Sequence, residues 1–103
     1  MRNNKVADEM LPISRAVPAA LVALLRPMPL SPGKVQFAWN AAVGTALQRV
    51  TAARLEGSVL LVDAASAQWK RAVLQSSRII LARMETLLGE GTVTELVVRN
   101  KEQ

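Results

Sequence analysis

The chain has 103 residues, half of them hydrophobic, and its 13 lysines and arginines outnumber its 8 aspartates and glutamates, giving a net charge of +5. This length fits one domain with one core, and the basic charge favours an anionic partner such as nucleic acid. The absence of cysteine and histidine excludes disulfides, thiolate chemistry, zinc sites of the Cys/His type and an imidazole general base.

The N-terminal region combines a polar segment with an apolar helix. Residues 1–13 are polar and lack periodicity, which predicts a flexible lead-in to a single domain over residues 14–100, with a tail over 101–103. Apolar residues at helical spacing predict a first helix from Ser14 to Arg26, and the prolines that follow end it. Its apolar stretch is only about half of a membrane span, so we expect a cytosolic protein that does not cross a membrane.

A second helix is predicted from Ser31 to about Arg49. Serine is a favourable N-cap, and Pro32 is tolerated at the first helical position because its missing N–H would be unpaired there. Phe37 lies nearly opposite the apolar stripe of this helix. That stripe consists of Val35, Trp39, Ala42, Val43 and Ala46.

Residues 50–64 are predicted to form a β-hairpin with a turn at residues 56–58. Its second strand, Val59–Ala64, is continuously apolar until Asp63, so we expect it to be central. The segment Thr92–Arg99 is rich in threonine and valine and predicts a third strand. The predicted order is α-α-β-β-α-β, an α+β fold in which a three-stranded antiparallel sheet packs against one long helix.

The long helix is predicted from an N-cap at Ser66 to Gly89. On a helical projection Trp69 shares one face with Val73, Ile80, Met84 and Leu87, whereas Arg71 and Arg78 lie on the opposite face. Trp69 is therefore interpreted as a core residue and not as a nucleic-acid contact. The long helix carries a second apolar stripe that the sheet cannot also cover, so we expect either the first helix or a second protein chain to pack on it. This stripe consists of Leu74, Leu81 and Leu88.

The sequence offers no signature of catalysis. The acidic residues are scattered over turns, strand ends and a helix end, so no spacing predicts a catalytic pair. Serines and lysines lack a candidate base partner, and neither common glycine-rich phosphate-binding loop is present. We therefore expect a protein that is not an enzyme and that uses no cofactor or metal.

A basic footprint for phosphates is the main candidate site. We expect binding there to be weak, salt-sensitive and weakly sequence-specific, and the alternative is an ordinary solvated surface. Stacking of bases is poorly supported, because the few aromatic residues include two tryptophans on apolar helix stripes. The candidate nucleic-acid-binding residues are Arg49, Arg54, Lys70, Arg71 and Arg78.

Three motifs in order resemble the DciA family of bacterial proteins. They are WNAAVGTAL from Trp39, GSVLLV from Gly57 and SAQW from Ser66, and the resemblance covers roughly residues 35–98. It implies a KH-like domain that acts with the replicative DNA helicase and assists its loading onto single-stranded DNA without hydrolysing nucleotide. It also implies a cytoplasmic, nucleoid-associated protein.

One departure limits what the resemblance implies about DNA contact. KH nucleic-acid modules use a G-x-x-G loop between helices, and this chain lacks that loop, so any DNA contact must come from another surface. Two alternatives remain open. The first is a KH-like RNA-binding module, which would prefer RNA through its 2′-hydroxyl groups. The second is a structural domain that self-associates through Leu74, Leu81 and Leu88.

Overall fold

The computed structural model describes residues 17–101, in which five helices and three strands form an α+β arrangement. The helices are α1 (Ala19–Leu25), α2 (Pro32–Val43), α3 (Thr45–Gln48), α4 (Ala67–Gln75) and α5 (Ser77–Leu88). The strands are β1 (Thr51–Glu56), β2 (Val59–Ala64) and β3 (Glu95–Asn100). The lead-in predicted over residues 1–13 and the predicted start of the first helix lie outside the described residues.

The second helix begins where the sequence predicts and ends earlier. Ser31 Oγ accepts a hydrogen bond from Lys34 N–H at 3.1 Å, and Pro32 occupies the first helical position. Gly44, with a φ of 87°, ends α2 and separates it from the short α3. Ala46 lies beyond this interruption and is exposed, so its place in the predicted stripe is wrong. The other members are buried: Val35, Trp39, Ala42 and Val43.

The sheet is mixed, and the prediction of a purely antiparallel sheet is wrong. β1 and β2 form the predicted antiparallel hairpin, and β2 is central as predicted. β3, however, pairs parallel with β2. The connection explains the direction, because parallel strands need a crossover and α4 and α5 supply it. They return the chain to the start of β2, where Thr94 N–H donates to Ser58 O at 2.8 Å.

The predicted long helix is interrupted at Ser76, which has a φ of −105° and a ψ of 12°. Its two ends are as predicted, because Ser66 Oγ accepts a hydrogen bond from Trp69 N–H at 3.3 Å and Gly89 is the C-cap of α5. Serine weakens a helix interior by competing for backbone hydrogen bonds. The two halves also pack on different partners, α4 on β2 and β3 and α5 on α1 and α2. The interruption lets each half follow its own partner.

The core lies between the helices and one face of the sheet. The face that α2 and α4 cover contributes buried residues from all three strands: Ala53, Leu60, Val62, Ala64 and Val98. The helices contribute the residues predicted for the core of the long helix, which are fully buried: Val73, Ile80, Met84 and Leu87. Within the described part of the chain, the opposite face of the sheet is open. We call it the open face, and it carries the charged residues of the strands.

Helix α2 also closes the outer edge of β1. Gln36 Oε1 accepts a hydrogen bond from Ala53 N–H at 3.1 Å, so a side chain occupies a backbone donor that a further strand would need. Trp39 Nε1 donates to Thr51 Oγ1 at 2.8 Å, and that hydroxyl donates to Leu47 O at 2.6 Å. These bonds fix the tryptophan and anchor the first residue of β1 to α2 and α3.

Candidate nucleic-acid interface

Asp63 lies on the open face of the central strand and holds an arginine from each neighbouring strand. Arg99 Nη2 and Nε lie 3.0 and 3.1 Å from Asp63 Oδ1, and Arg54 Nη1 lies 3.9 Å from Asp63 Oδ2. Arg54 Nε also donates to Glu56 Oε2 at 3.2 Å. Asp63, Arg54 and Arg99 share one face of the sheet because each alternates with buried residues along its own strand. Arg54, a predicted phosphate ligand, is therefore already paired with two carboxylates.

A shallow groove of about 220 Å³ lies beside this cluster, at the end of the sheet where β2 finishes. Arg49, which is the C-cap of α3, and Lys101, which follows β3, both line this groove. Lys101 N–H donates to Ala64 O at 2.7 Å, which fixes its backbone beside β2. Within residues 17–101 neither Arg49 nor Lys101 forms an ion pair. Both charges are therefore available to an anion.

Three further predicted residues lie on the helices. Lys70 is half-buried and Arg71 is exposed on α4, and Arg78 is exposed on α5. Since Trp69 and Val73 pack inward on α4, Arg71 points away from the sheet. None of these three basic side chains forms an ion pair within the described residues.

The basic residues are thus divided between the sheet and the helices, and we describe them as two groups. The sheet-end group lies at the open face and its groove, and the helix group lies on the outer side of the helix layer. Binding of nucleic acid by the five predicted residues stays a prediction. The sheet-end group consists of Arg49, Arg54, Arg99 and Lys101. The helix group consists of Lys70, Arg71 and Arg78.

Arg99 and Lys101 of the sheet-end group were missed by the sequence analysis. The alternation of strand residues could have placed Arg99 on the same face as Asp63, because both directly follow buried valines in their strands. Their contact depends on the parallel pairing of β2 with β3, which places Asp63 directly opposite Arg99. An antiparallel pairing would have given a different register.

The tryptophans occupy the core, as the sequence predicts. Trp39 is fully buried, and Trp69 is half-buried and packs against the core. Phe37 is 51% exposed, on the side of α2 that faces away from Trp39. Trp39 therefore offers no open ring face for a stacked base, and packing against the core covers part of Trp69.

The three leucines of the predicted second stripe differ in their surroundings. Leu88 is buried, Leu81 is half-buried against the core, and Leu74 is 47% exposed. The interruption at Ser76 places Leu74 on a different helix from the other two. Helix α1 packs on α5. Cover of the three leucines by this helix stays a prediction. Self-association through these leucines stays a prediction.

Arg83 connects α5 to the end of α2. Arg83 Nη1 donates to Ala42 O at 2.9 Å, near the C-terminus of α2, where a positive charge is favourable. Burial lowers the pKa of the Arg83 guanidinium from its ordinary value. Within residues 17–101 there is no cluster of three side chains that could hold a metal ion. In the same range no helix has the length and apolar character to cross a membrane.

These features define a small, basic α+β domain that carries its charge in two separate surface groups. Among families of known proteins, the one described as Dna[CI] antecedent, DciA, matches residues 13–98. The chain therefore belongs to the DciA family, an accessory family of helicase loading in DNA replication that is not known as an enzyme family. A search of curated proteins found no match.

Proposed function

We propose that the protein is a non-enzymatic accessory factor that binds the replicative DNA helicase and assists its loading onto single-stranded DNA. The family match carries this proposal, because it extends from residue 13 to residue 98 and so includes every helix described and most of the sheet. The role in helicase loading implies contact with the helicase. A cytoplasmic, nucleoid-associated location accords with this role.

The test of helicase binding uses light scattering on size-exclusion runs of the protein with the replicative helicase of its own organism. We expect a co-eluting complex of defined mass at moderate salt. Two separate peaks that persist at low salt and with nucleotide present would contradict the proposal. A run with the helicase alone gives the reference mass.

Weak binding of single-stranded DNA through its phosphates is the second part of the proposal. The exposed Arg71 and Arg78 of the helix group, with the partly exposed Lys70, support it because acidic side chains of the described residues do not compensate them. Arg49, which forms no ion pair within residues 17–101, offers a further cation at the sheet end. Arg54 contributes less, since Glu56 and Asp63 already hold it. Contacts of this kind position a strand without reading its sequence.

Two double variants test which group meets the phosphates. The first is Arg71→Glu with Arg78→Glu, and the second is Arg49→Glu with Lys101→Glu. Both change the net charge by the same amount, so each is the control for the other. We expect the first to weaken oligothymidine binding at low salt by about tenfold or more. If it binds as well as the parent, the helix group is not the site.

Competition between matched RNA and DNA oligomers completes the test. Contacts to phosphates alone predict similar affinity for both, because the backbone charge is the same. A strong preference for RNA would contradict the proposal and favour a KH-like RNA-binding module.

A further inference from the structure

The two edges of the sheet differ in how they are protected. On β1, Gln36 occupies the outward-facing N–H of Ala53. β3 forms the other edge. Lys101 N–H faces β2, since it donates to Ala64 O, and backbone groups of alternate residues in a strand face opposite edges. The backbone groups of Leu96 and Val98 therefore face outward, and within residues 17–101 they have no strand partner.

We infer that the outer edge of β3 pairs with β3 of a second copy of this chain. An unprotected edge strand is a template for another strand, and the sequence of β3 shows which strand fits it. Antiparallel pairing about a two-fold axis places outward-facing residues opposite each other. One such register sets Leu96 opposite Val98 of the second copy and centres the axis on Val97.

The same register makes the open face of β3 complementary to itself. Glu95, Val97 and Arg99 lie on this face, with Val97 midway between the two charges. Pairing about Val97 sets Glu95 opposite Arg99 of the second copy, and the symmetric pair forms on the other side of the axis. These are the pairs whose side chains approach most closely in an antiparallel ladder. Arg99 would then bridge Asp63 of its own chain and Glu95 of the second copy.

A neighbouring register that also pairs the outward-facing backbone groups is less favourable. It shifts the axis to Val98 and sets Val97 opposite Arg99 of the second copy, which places an apolar side chain against a charge. It also sets Glu95 opposite Lys101 of the second copy, so the two registers differ in which basic residue faces Glu95. This difference can be tested, because only the Val97-centred register places Arg99 in an ion pair between the two copies.

The test is sedimentation equilibrium of the full chain and of two charge variants at moderate salt. We expect the parent to show a concentration-dependent dimer. Glu95→Arg and Arg99→Glu should each weaken it by about tenfold or more, because each replaces two attractive pairs by two repulsive ones. Glu90→Arg makes the same charge change as Glu95→Arg in an exposed loop residue outside the strand, and we expect it to dimerise like the parent.

A mixture of the two variants gives the sharpest result. In a heterodimer of Glu95→Arg with Arg99→Glu, each arginine of one chain faces a glutamate of the other. We therefore expect the equimolar mixture to dimerise more strongly than either variant alone. Recovery in the mixture also shows that both variants are folded, and circular dichroism of each checks this directly.

Three outcomes would overturn the inference. The first is a parent that stays monomeric at millimolar concentration, which would leave the edge to a different protein. The second is a dimer that Glu95→Arg leaves intact. The third is a dimer that Leu74→Glu abolishes while both charge variants retain it, since that would place the interface on the exposed leucine of α4. None of these outcomes depends on whether the protein binds the helicase.

Discussion

Asp63 controls how much positive charge the open face presents. Its carboxylate lies between Arg54 and Arg99, whose side chains are 49% and 55% exposed. Exposed ion pairs of this kind contribute only about 0–1 kcal/mol each to stability, so the main effect of Asp63 is on surface charge. Phosphates that approach this face must compete with an aspartate for both arginines.

Replacing Asp63 by asparagine should therefore strengthen binding of single-stranded DNA. The Asp63→Asn substitution removes the carboxylate charge that Arg54 and Arg99 share, so Arg99 loses its ion pair and Arg54 keeps only the one with Glu56. We expect higher affinity for an oligothymidine, a steeper salt dependence, and a loss of no more than about 1 kcal/mol in the free energy of unfolding. Fluorescence anisotropy and urea denaturation measure the two effects.

Glu90→Gln is the matched control for this prediction. It changes the net charge equally at an exposed residue that makes no ion pair within the described residues. If both substitutions raise the affinity by the same factor, the general charge of the protein accounts for the effect. The arginines of the open face would then have no particular part in DNA binding.

At the scale of elements, two glycines in one helical region have opposite requirements. Gly44 has a φ of 87° and a ψ of 176°, a conformation that side chains with a Cβ atom adopt only with strain. Gly33 lies in the first turn of α2, where an added Cβ would find only Ser31 Oγ, at 3.9 Å. The first glycine separates α2 from α3, and the second has no such role.

Alanine substitutions should therefore change stability in opposite directions. We expect Gly44→Ala to lower the free energy of unfolding by about 1–3 kcal/mol, because the new side chain strains the turn. Gly33→Ala should raise it by about 0.4–1 kcal/mol, because alanine favours the helix and restricts the unfolded chain. Urea denaturation of both variants measures this. If Gly44→Ala raised the free energy of unfolding as much as Gly33→Ala, the turn at Gly44 would accept a side chain without strain.

The sequence was sufficient for elements whose signals are local. The caps at Ser31 and Ser66, the hairpin and the buried stripe around Val73 depend on residues close together in the chain, and the structure confirms them. The direction of β3 was not accessible in this way, because it depends on where the crossover returns the chain. The interruption at Ser76 arises from packing on different partners, so helical periodicity could not show it.

How the candidate site residues group together likewise depends on contacts between elements that are far apart in the chain. From the sequence, Arg71 and Arg78 are predicted on one side of an uninterrupted helix, and the basic footprint combines them with Lys70, Arg49 and Arg54. The layers of the fold separate them, since Arg54 lies on the open face and Arg71 lies on the outer side of the helices. Exposure of each residue was predictable, whereas the grouping needed the tertiary structure.

At the scale of the whole molecule, the separation of the two basic groups limits how a single strand can bind. Under the proposed binding of single-stranded DNA, we expect a short oligonucleotide to contact one group at a time, so that few phosphates are neutralised together. For single strands, the logarithm of the binding constant falls against the logarithm of salt with a slope of about −0.7 for each phosphate contacted. A shallow slope is therefore expected for a short oligomer, with a steeper slope for one long enough to reach both groups.

The two tryptophans, which both pack in or against the core, give an independent check on this mode of binding. Trp39 is fully buried, and Trp69 packs against the core with its neighbour Arg71 directed outward. Because phosphate contacts leave both indole rings where they are, saturation with oligothymidine should change neither the intensity nor the wavelength of tryptophan emission. The anisotropy of a labelled oligomer confirms saturation in the same samples. Strong quenching would instead show that bases reach an indole ring, for which the half-buried Trp69 is the candidate, and would contradict binding through phosphates alone.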